Sequence, residues 1–421
     1  MMKIKIKKTN QLNIKTTIIS SKSELHRLLI LSAFAKTESQ IGFNGKLSED
    51  VLATINCLEA IGVKIEIKNN IIFVFPLKEI PKKTVEICPN ESGSTLRFLI
   101  PVFSSLGINY KITVNGRLGE RPLSPMYEIL SEKGVFLSEN GKYPLTVNGQ
   151  FVGGDIKIKG NVSSQFITGI LMALPFTKNG GSVLIEEPFE SKGYVDITID
   201  VMKKFGIEVI KNENLYTVLP KPYNGINLTA GGDWSNASFF LAMGAINGES
   251  TVFGLDINSL QGDKEILNIL ERFGAVVVKE ENSITVKHNQ LNGIKIDAKD
   301  FPDLVPVLGI VASFSKGTTR IYNASRLRIK ESDRIKSVVD MINSLGGDAK
   351  ETDDGMLITG KDKLFGGVVN SYNDHRIVMA SAVSSILTEN EVVISNANAV
   401  NKSYPEFFEI LKECGFCVEE V

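Results

Sequence analysis

Six times along the chain a short polar stretch gives way to an apolar one. Ser20-Ser21-Lys22-Ser23-Glu24-Leu25-His26-Arg27 runs into Leu28-Leu29-Ile30-Leu31, and the same build recurs at Glu91-Ser92-Gly93-Ser94-Thr95-Leu96-Arg97, Val162-Ser163-Ser164-Gln165-Phe166, Gly232-Asp233-Trp234-Ser235-Asn236, Phe301-Pro302-Asp303-Leu304 and Asn373-Asp374-His375-Arg376. With Lys22, Ser94, Ser164, Ser235, Asp303 and His375 as markers, the residue numbers step by 72, 70, 71, 68 and 72. Six further segments end in Gly62, Gly134, Gly206, Gly274, Gly346 and Gly415, stepping by 72, 72, 68, 72 and 69. A fixed period of this length marks one supersecondary unit copied six times.

The first unit shows its contents. Leu12–Ile19 predicts a strand, and a helix from Lys22 carries Leu25, Leu28, Leu29, Ser32 and Ala33 at helical spacing. A short strand follows around Gln40–Phe43, then a helix from Ser48-Glu49-Asp50 with acidic residues in its first turn, where the helix dipole favours them. Gly62 stops it, and Val63, Ile65 and Ile67 alternate before Asn69-Asn70 turns the chain into Ile71–Phe75. The unit is βαβαββ.

The first helix of each unit is apolar nearly all round, as in Leu96–Phe103 and Val305–Val311, and such helices belong inside a domain. Leu219-Pro220-Lys221-Pro222-Tyr223-Asn224-Gly225 reads as a hinge between units three and four. The sixth unit ends one strand short after Gly415-Phe416-Cys417-Val418, and the alternating Lys3–Lys7 is a candidate to complete it. The expected fold is therefore α/β (α+β), with two similar domains of three βαβαββ units each, residues 13–224 and residues 1–12 plus 225–421. Three buried helices per domain, their N-termini turned to an interdomain cleft, would present partial positive charge to an anionic ligand.

Composition narrows the class. With 43% hydrophobic and 23% charged residues, a net charge of −1 and pI about 6.4, the chain has the balance of a globular enzyme and no bulk field for nucleic acid or anionic membrane. Its apolar runs are interrupted before they reach spanning length, and the N-terminus lacks the apolar core of a signal peptide, so a cytoplasmic location is expected. The four cysteines, Cys57, Cys88, Cys414 and Cys417, make no zinc or redox pattern, and no metal is expected.

The chemistry concentrates at the helix starts. Lys22, Arg27, Arg97 and Arg376 lie at first helices, while Arg121, Lys192, Lys330, Arg334 and Lys402 lie at second helices; Arg121, Arg334 and Lys402 sit 13, 12 and 13 residues before their stop glycines. Cations at helix N-termini oppose the dipole, so helix stability does not account for them. An anion with several charges does. Asp303, Glu331 and Asp374 are mixed among them, where carboxylates can exchange protons. The plainer roles are helix caps for Asp303 and Asp374, an i, i+3 ion pair from Glu331 to Arg334, and caps for Ser163 and Ser164.

Together these motifs resemble the 5-enolpyruvylshikimate-3-phosphate synthase family over the whole chain. The resemblance rests on Ser21-Lys22-Ser23 with Arg27, Ser92–Arg97, Gly119-Glu120-Arg121-Pro122, Ser163–Phe166, Ser191-Lys192-Gly193-Tyr194-Val195-Asp196, Pro302-Asp303, Arg328–Arg334, Asn373–Arg376 and Lys402-Ser403-Tyr404-Pro405. It implies a monomer with the inside-out α/β barrel fold and no cofactor. The activity implied is transfer of the enolpyruvyl group from phosphoenolpyruvate to the 5-hydroxyl of shikimate 3-phosphate. By position, Ser163, Ser164 and Ser191 resemble the shikimate phosphate cradle, and Lys22, Ser23, Arg27, Gln165, Tyr194, Asp303 and Lys330 the remaining acceptor contacts. Lys22, Gly93, Arg121, Gln165 and Lys402 resemble the phosphoenolpyruvate phosphate site, and Arg334 with Arg376 its carboxylate clamp. Lys22, Asp303 and Glu331 are the implied catalytic groups. Glu91 and Arg326-Leu327 depart from the family pattern, which has Asn and Asn-Trp there in many or some members.

Two rivals remain at this point. The sister transferase acting on UDP-N-acetylglucosamine carries a reactive Cys in the loop that here reads Asn115-Gly116-Arg117-Leu118-Gly119-Glu120. A catalytically silent anion-binding repeat protein would not require Lys22, Asp303 and Glu331 together.

Overall fold

The structure, a computed structural model, describes residues 2–7 and 13–421. Its helices are α1 (Lys22–Ala33), α2 (Glu49–Ala60), α3 (Gly93–Ser105), α4 (Met126–Glu132), α5 (Ser164–Ala173), α6 (Lys192–Lys204), α7 (Trp234–Ile246), α8 (Ile266–Phe273), α9 (Val305–Ser313), α10 (Arg334–Ser344), α11 (His375–Ser384) and α12 (Phe407–Glu413). Each polar-to-apolar junction opens a helix within one residue of its marker, α9 by way of the 3₁₀ turn Pro302–Leu304. The caps follow from the junction chemistry. Side chains of Ser21, Ser92, Ser163, Asp233 and Asp374 accept hydrogen bonds from backbone N–H groups two or three residues on. The six stop glycines all have positive φ, from 83° to 118°, a conformation that leaves the helix and that side chains with a Cβ disfavour.

Among the described residues the strands form six four-stranded sheets. Each has one parallel pair followed by two antiparallel pairs, as in Gly154–Lys159, Gly181–Glu186, Leu215–Val218 and Val209–Asn212. In four of the sheets the parallel pair is bridged by one buried helix, α3, α5, α9 or α11, as the crossover between parallel neighbours requires. All thirteen residues of α7 and all nine of α9 are buried.

The chain falls into two compact units, Ser20–Ala230 and Met1–Ile19 with Gly231–Val421, each with its own hydrophobic core. In the second, Lys3–Lys7 lies between Val392–Ser395 and Cys417–Glu420, antiparallel to both. Two strands depart from the expected boundaries. Asn13–Thr17 runs parallel to Glu249–Phe253 in the second unit, and Asn227–Thr229 runs parallel to Ser39–Gly42 in the first, so the chain crosses after Ile19 and after Ala230. Nor is 219–225 a free hinge. Tyr223 is fully buried, packs its ring on Phe176 and Phe205, and donates its hydroxyl to Met172 O at 3.0 Å. Leu12, at the start of the expected strand Leu12–Ile19, lies outside the described residues.

Within the first core, α3 and α5 approach closely because of two residues. Pro101 has no N–H to give the Arg97 carbonyl four residues back, and Gly169 of α5 lies over that carbonyl; a Cβ there would be 2.3 Å from Arg97 O. The approach sets the starts of these two helices, and therefore Ser94, Arg97 and Gln165, side by side. No helix among the described residues is long and apolar enough to cross a membrane.

Candidate active site

The expected site residues form two sets, one in each unit. In Ser20–Ala230 the starts of α1, α3 and α5 supply the first. Lys22, the first residue of α1, is 2.8 Å from Asp50 Oδ2 in the first turn of α2. Arg27, one turn on and 2% exposed, is held on every side. Its Nε donates to Thr198 Oγ1 at 2.8 Å, Nη1 to Ser23 O at 2.5 Å and Nη2 to Tyr194 O at 2.9 Å, with the guanidinium over the Phe98 ring. Burial pushes Arg27 down to about 9, opposed by Tyr194 and Glu24. Beside it, burial followed by the Lys22 and Arg27 charges holds the His26 imidazole well below its usual value and neutral, with Nδ1 2.7 Å from Thr54 Oγ1.

At the start of α3, Gly93 is hemmed by guanidiniums. A Cβ there would lie 2.7 Å from Arg121 Nη1 and 2.8 Å from Arg97 Nη1, so glycine is what lets both cations reach the helix N-terminus. Arg97 Nη1 donates to Gln165 Oε1 at 2.7 Å, and Gln165 Nε2 donates to Ser94 Oγ at 3.0 Å. Gly93, Arg121 and Gln165 are thus brought together. Ser163 caps α5, accepting from Gln165 N at 3.3 Å, and Ser164 opens the helix. Ser191 holds the left-handed conformation at φ 55° just before α6, while Lys192 places its ammonium over the Phe189 ring.

The second set is built on Arg334, the first residue of α10 and 1% exposed. Asp374 grips one side: Oδ2 accepts from Nε at 2.8 Å and Oδ1 from Nη2 at 3.3 Å. Nη1 donates to Asp303 Oδ1 at 2.6 Å and Nη2 to Glu331 Oε2 at 2.7 Å. Asp303 Oδ2 in turn accepts from Arg376 Nη2 at 3.1 Å, so its carboxylate joins two guanidiniums. Burial opposes its ionisation, but Arg376 and Arg334 outweigh that and hold it well below the usual carboxylate range. Arg334 itself is held above its ordinary value against burial, because three carboxylates surround it. Lys330 is pushed down to about 8, chiefly by burial. Lys402 Nζ donates to Asn373 O at 2.7 Å.

The plainer roles are partly realised. Glu331 and Arg334 do form the i, i+3 pair, and Asp374 does cap α11, accepting from Arg376 N at 2.9 Å. Asp303 is no cap; it sits in the 3₁₀ turn with both oxygens on arginines. Asp50 was visible only as a first-turn acid and Arg97 only as one cation among several. Nothing local signalled the partners they meet 28 and 68 residues away. The two departures from the family pattern also find places: Glu91 packs its carboxyl over Gly116, and Arg326 donates to Lys299 O while Leu327 is buried. Among the described residues no group of three or more His, Cys, Asp or Glu is placed to hold a metal ion.

The chemistry available is that of cations and helix N-termini for anionic groups, with two carboxylates on one guanidinium for proton exchange. Comparison with known proteins bears on it directly. Residues 6–411 match the model of EPSP synthase (3-phosphoshikimate 1-carboxyvinyltransferase). The 3-phosphoshikimate 1-carboxyvinyltransferase of Clostridium perfringens (strain ATCC 13124) is 42% identical, covering 94% of each chain, and that of Clostridium kluyveri is 43% identical, covering 95% of this chain and 94% of its own. An EPSP synthase structure from Acinetobacter baumannii superposes with a TM-score of 0.84 at 26% identity over the whole of both chains. The chain belongs to the EPSP synthase family.

Proposed function

We propose that the protein transfers the enolpyruvyl group of phosphoenolpyruvate to the 5-hydroxyl of shikimate 3-phosphate by addition and elimination, releasing phosphate. The observation that carries this reading is the buried Arg334 guanidinium with both Asp303 and Glu331 on it and Arg376 alongside. It gathers the two carboxylates that the proton transfers require with the two guanidiniums that suit a planar carboxylate.

In the addition step the 5-oxygen bonds to the central carbon of phosphoenolpyruvate, its proton passes to Asp303, and Glu331 protonates the methylene carbon. In the elimination step the bond from that carbon to the phosphate oxygen breaks, and Glu331 takes a proton back from the new methyl. Lys22 protonates the leaving phosphate or stabilises its charge. Arg334 and Arg376 hold the donor's carboxylate, and Lys22, Arg121, Gln165, Lys402 and the Gly93 backbone its phosphate. Ser163, Ser164 and Ser191 cradle the acceptor's phosphate, with Ser23, Arg27, Gln165, Tyr194, Asp303 and Lys330 about its ring. Both substrates are anions, so fixed cations and loss of water supply much of the rate. A cytoplasmic monomer that needs no cofactor is part of the proposal.

The Glu331→Gln variant tests it. Turnover with both substrates falls by about 10³-fold while affinity for shikimate 3-phosphate is kept; retention of wild-type turnover would refute the role of Glu331.

A further inference from the structure

Arg334 has five N–H groups in a fixed fork. Asp374 takes two, from Nε and Nη2, while Asp303 takes one on Nη1 and Glu331 one on Nη2. A carboxylate bound in the bidentate manner needs two parallel N–H groups on one edge. Asp374 occupies the Nε edge, is itself fully buried, and is fixed further by Ser332 Oγ at 3.1 Å and by its cap on α11. The Nη1–Nη2 edge remains, and Asp303 and Glu331 hold it.

We propose that Asp303 and Glu331 stand in for the donor's carboxylate, which on binding displaces them from the Nη1–Nη2 edge of Arg334 and so frees Asp303 to act as a base and Glu331 to exchange its proton, with Asp374 as the residue that fixes which edge is offered. The proposal rests on the transferase reading above. The exchange keeps the buried guanidinium paired: the donor's one carboxylate takes the edge that two side chains leave, Asp374 stays on the other edge, and Asp303 retains Arg376. Displacement also changes what Asp303 can do. Between Arg334 and Arg376 its carboxyl is held well below the usual range and is a weak base; moved off Arg334, it becomes a stronger one. The base strength of Asp303 is thereby coupled to occupation by a donor that carries a carboxylate, and an enol phosphate without one leaves both side chains clamped.

Equilibrium binding to the Asp303→Asn variant separates this from simpler accounts. Asparagine keeps the shape and removes the competing charge. Phosphoenolpyruvate is expected to bind about 10-fold tighter than to wild type, while inorganic phosphate, which does not use the clamp, changes by less than about twofold. Equal tightening of both would mean a general field effect, and unchanged or weaker phosphoenolpyruvate binding would mean that Asp303 supports the clamp; either overturns the proposal. Should Asp303→Asn not fold, a wild-type structure with phosphoenolpyruvate bound decides: Asp303 Oδ1 leaves Arg334 Nη1, or keeps the contact and the proposal fails. Both readouts are independent of turnover. Failure of the transferase reading would instead appear as absence of phosphate release by wild type.

Discussion

Lys22 Nζ lies 2.8 Å from Asp50 Oδ2, tying the cation that opens α1 to a carboxylate in the first turn of α2. Both side chains are about one-seventh exposed, so the pair is not the solvated kind that contributes little. Asp50 needs no substrate contact to matter: it sets where the ammonium sits. Asp50→Asn is expected to lower kcat about 10-fold with a smaller change in either KM, and Asp50→Glu to restore part of it. Steady-state kinetics on the two variants decides. Wild-type kcat in Asp50→Asn would mean that Lys22 is positioned by α1 alone.

The contact between α3 and α5 depends on the missing side chain at Gly169. A Cβ 2.3 Å from Arg97 O and 2.8 Å from Pro101 Cγ meets backbone and a rigid ring, neither of which yields cheaply. Gly169→Ala should cost about 1–3 kcal/mol of stability. Because Arg97 and Gln165 ride on these helices, it should also weaken binding of phosphoenolpyruvate. Denaturant unfolding with a binding titration measures both.

Lys330 gives a pH dependence. Its pKa, lowered to about 8 chiefly by burial, means that the folded protein loses this proton before the unfolded chain does. Affinity for an anionic acceptor should therefore fall as pH rises through about 8, whereas stability should rise between there and the ordinary lysine value, because the unfolded chain then binds more protons. Lys330→Arg should move the loss of affinity to higher pH. An affinity that is flat across that interval would exclude Lys330 from the acceptor site.

His26 acts on stability in the same sense, at lower pH. Burial, Lys22 and Arg27 keep it neutral in the fold, while the unfolded chain takes a proton near pH 6.5. Acidification below that value draws the Ser20–Ala230 unit toward unfolding. His26→Gln should flatten the dependence of stability on pH between about 5 and 6.5, read by denaturant midpoints at several pH values.

Most of the local architecture was legible in the sequence because its determinants are local. A cap residue, an apolar run and a glycine at positive φ each act within a few residues, and so Lys22, Ser164 and His375 mark helix starts to the residue. Sheet partners are not local. Nothing within Asn13–Thr17 itself says that its neighbour is Glu249–Phe253 and not the nearer Ser39–Gly42, because a strand carries no local record of which distant strand it meets. The site divides the same way. The Glu331–Arg334 pair follows from i, i+3 spacing, and Asp374 announces itself as a cap. Its grip on Arg334, 40 residues back, and the bridge by Asp303 between Arg334 and Arg376 exist only once the helix starts of different repeats are assembled.

Phosphate release by the purified protein tests the central claim most directly, with phosphoenolpyruvate present and shikimate 3-phosphate, UDP-N-acetylglucosamine or no acceptor added. Release with shikimate 3-phosphate alone, lost in Glu331→Gln, is the predicted result. Release with UDP-N-acetylglucosamine instead, or with no acceptor dependence at all, would contradict the account.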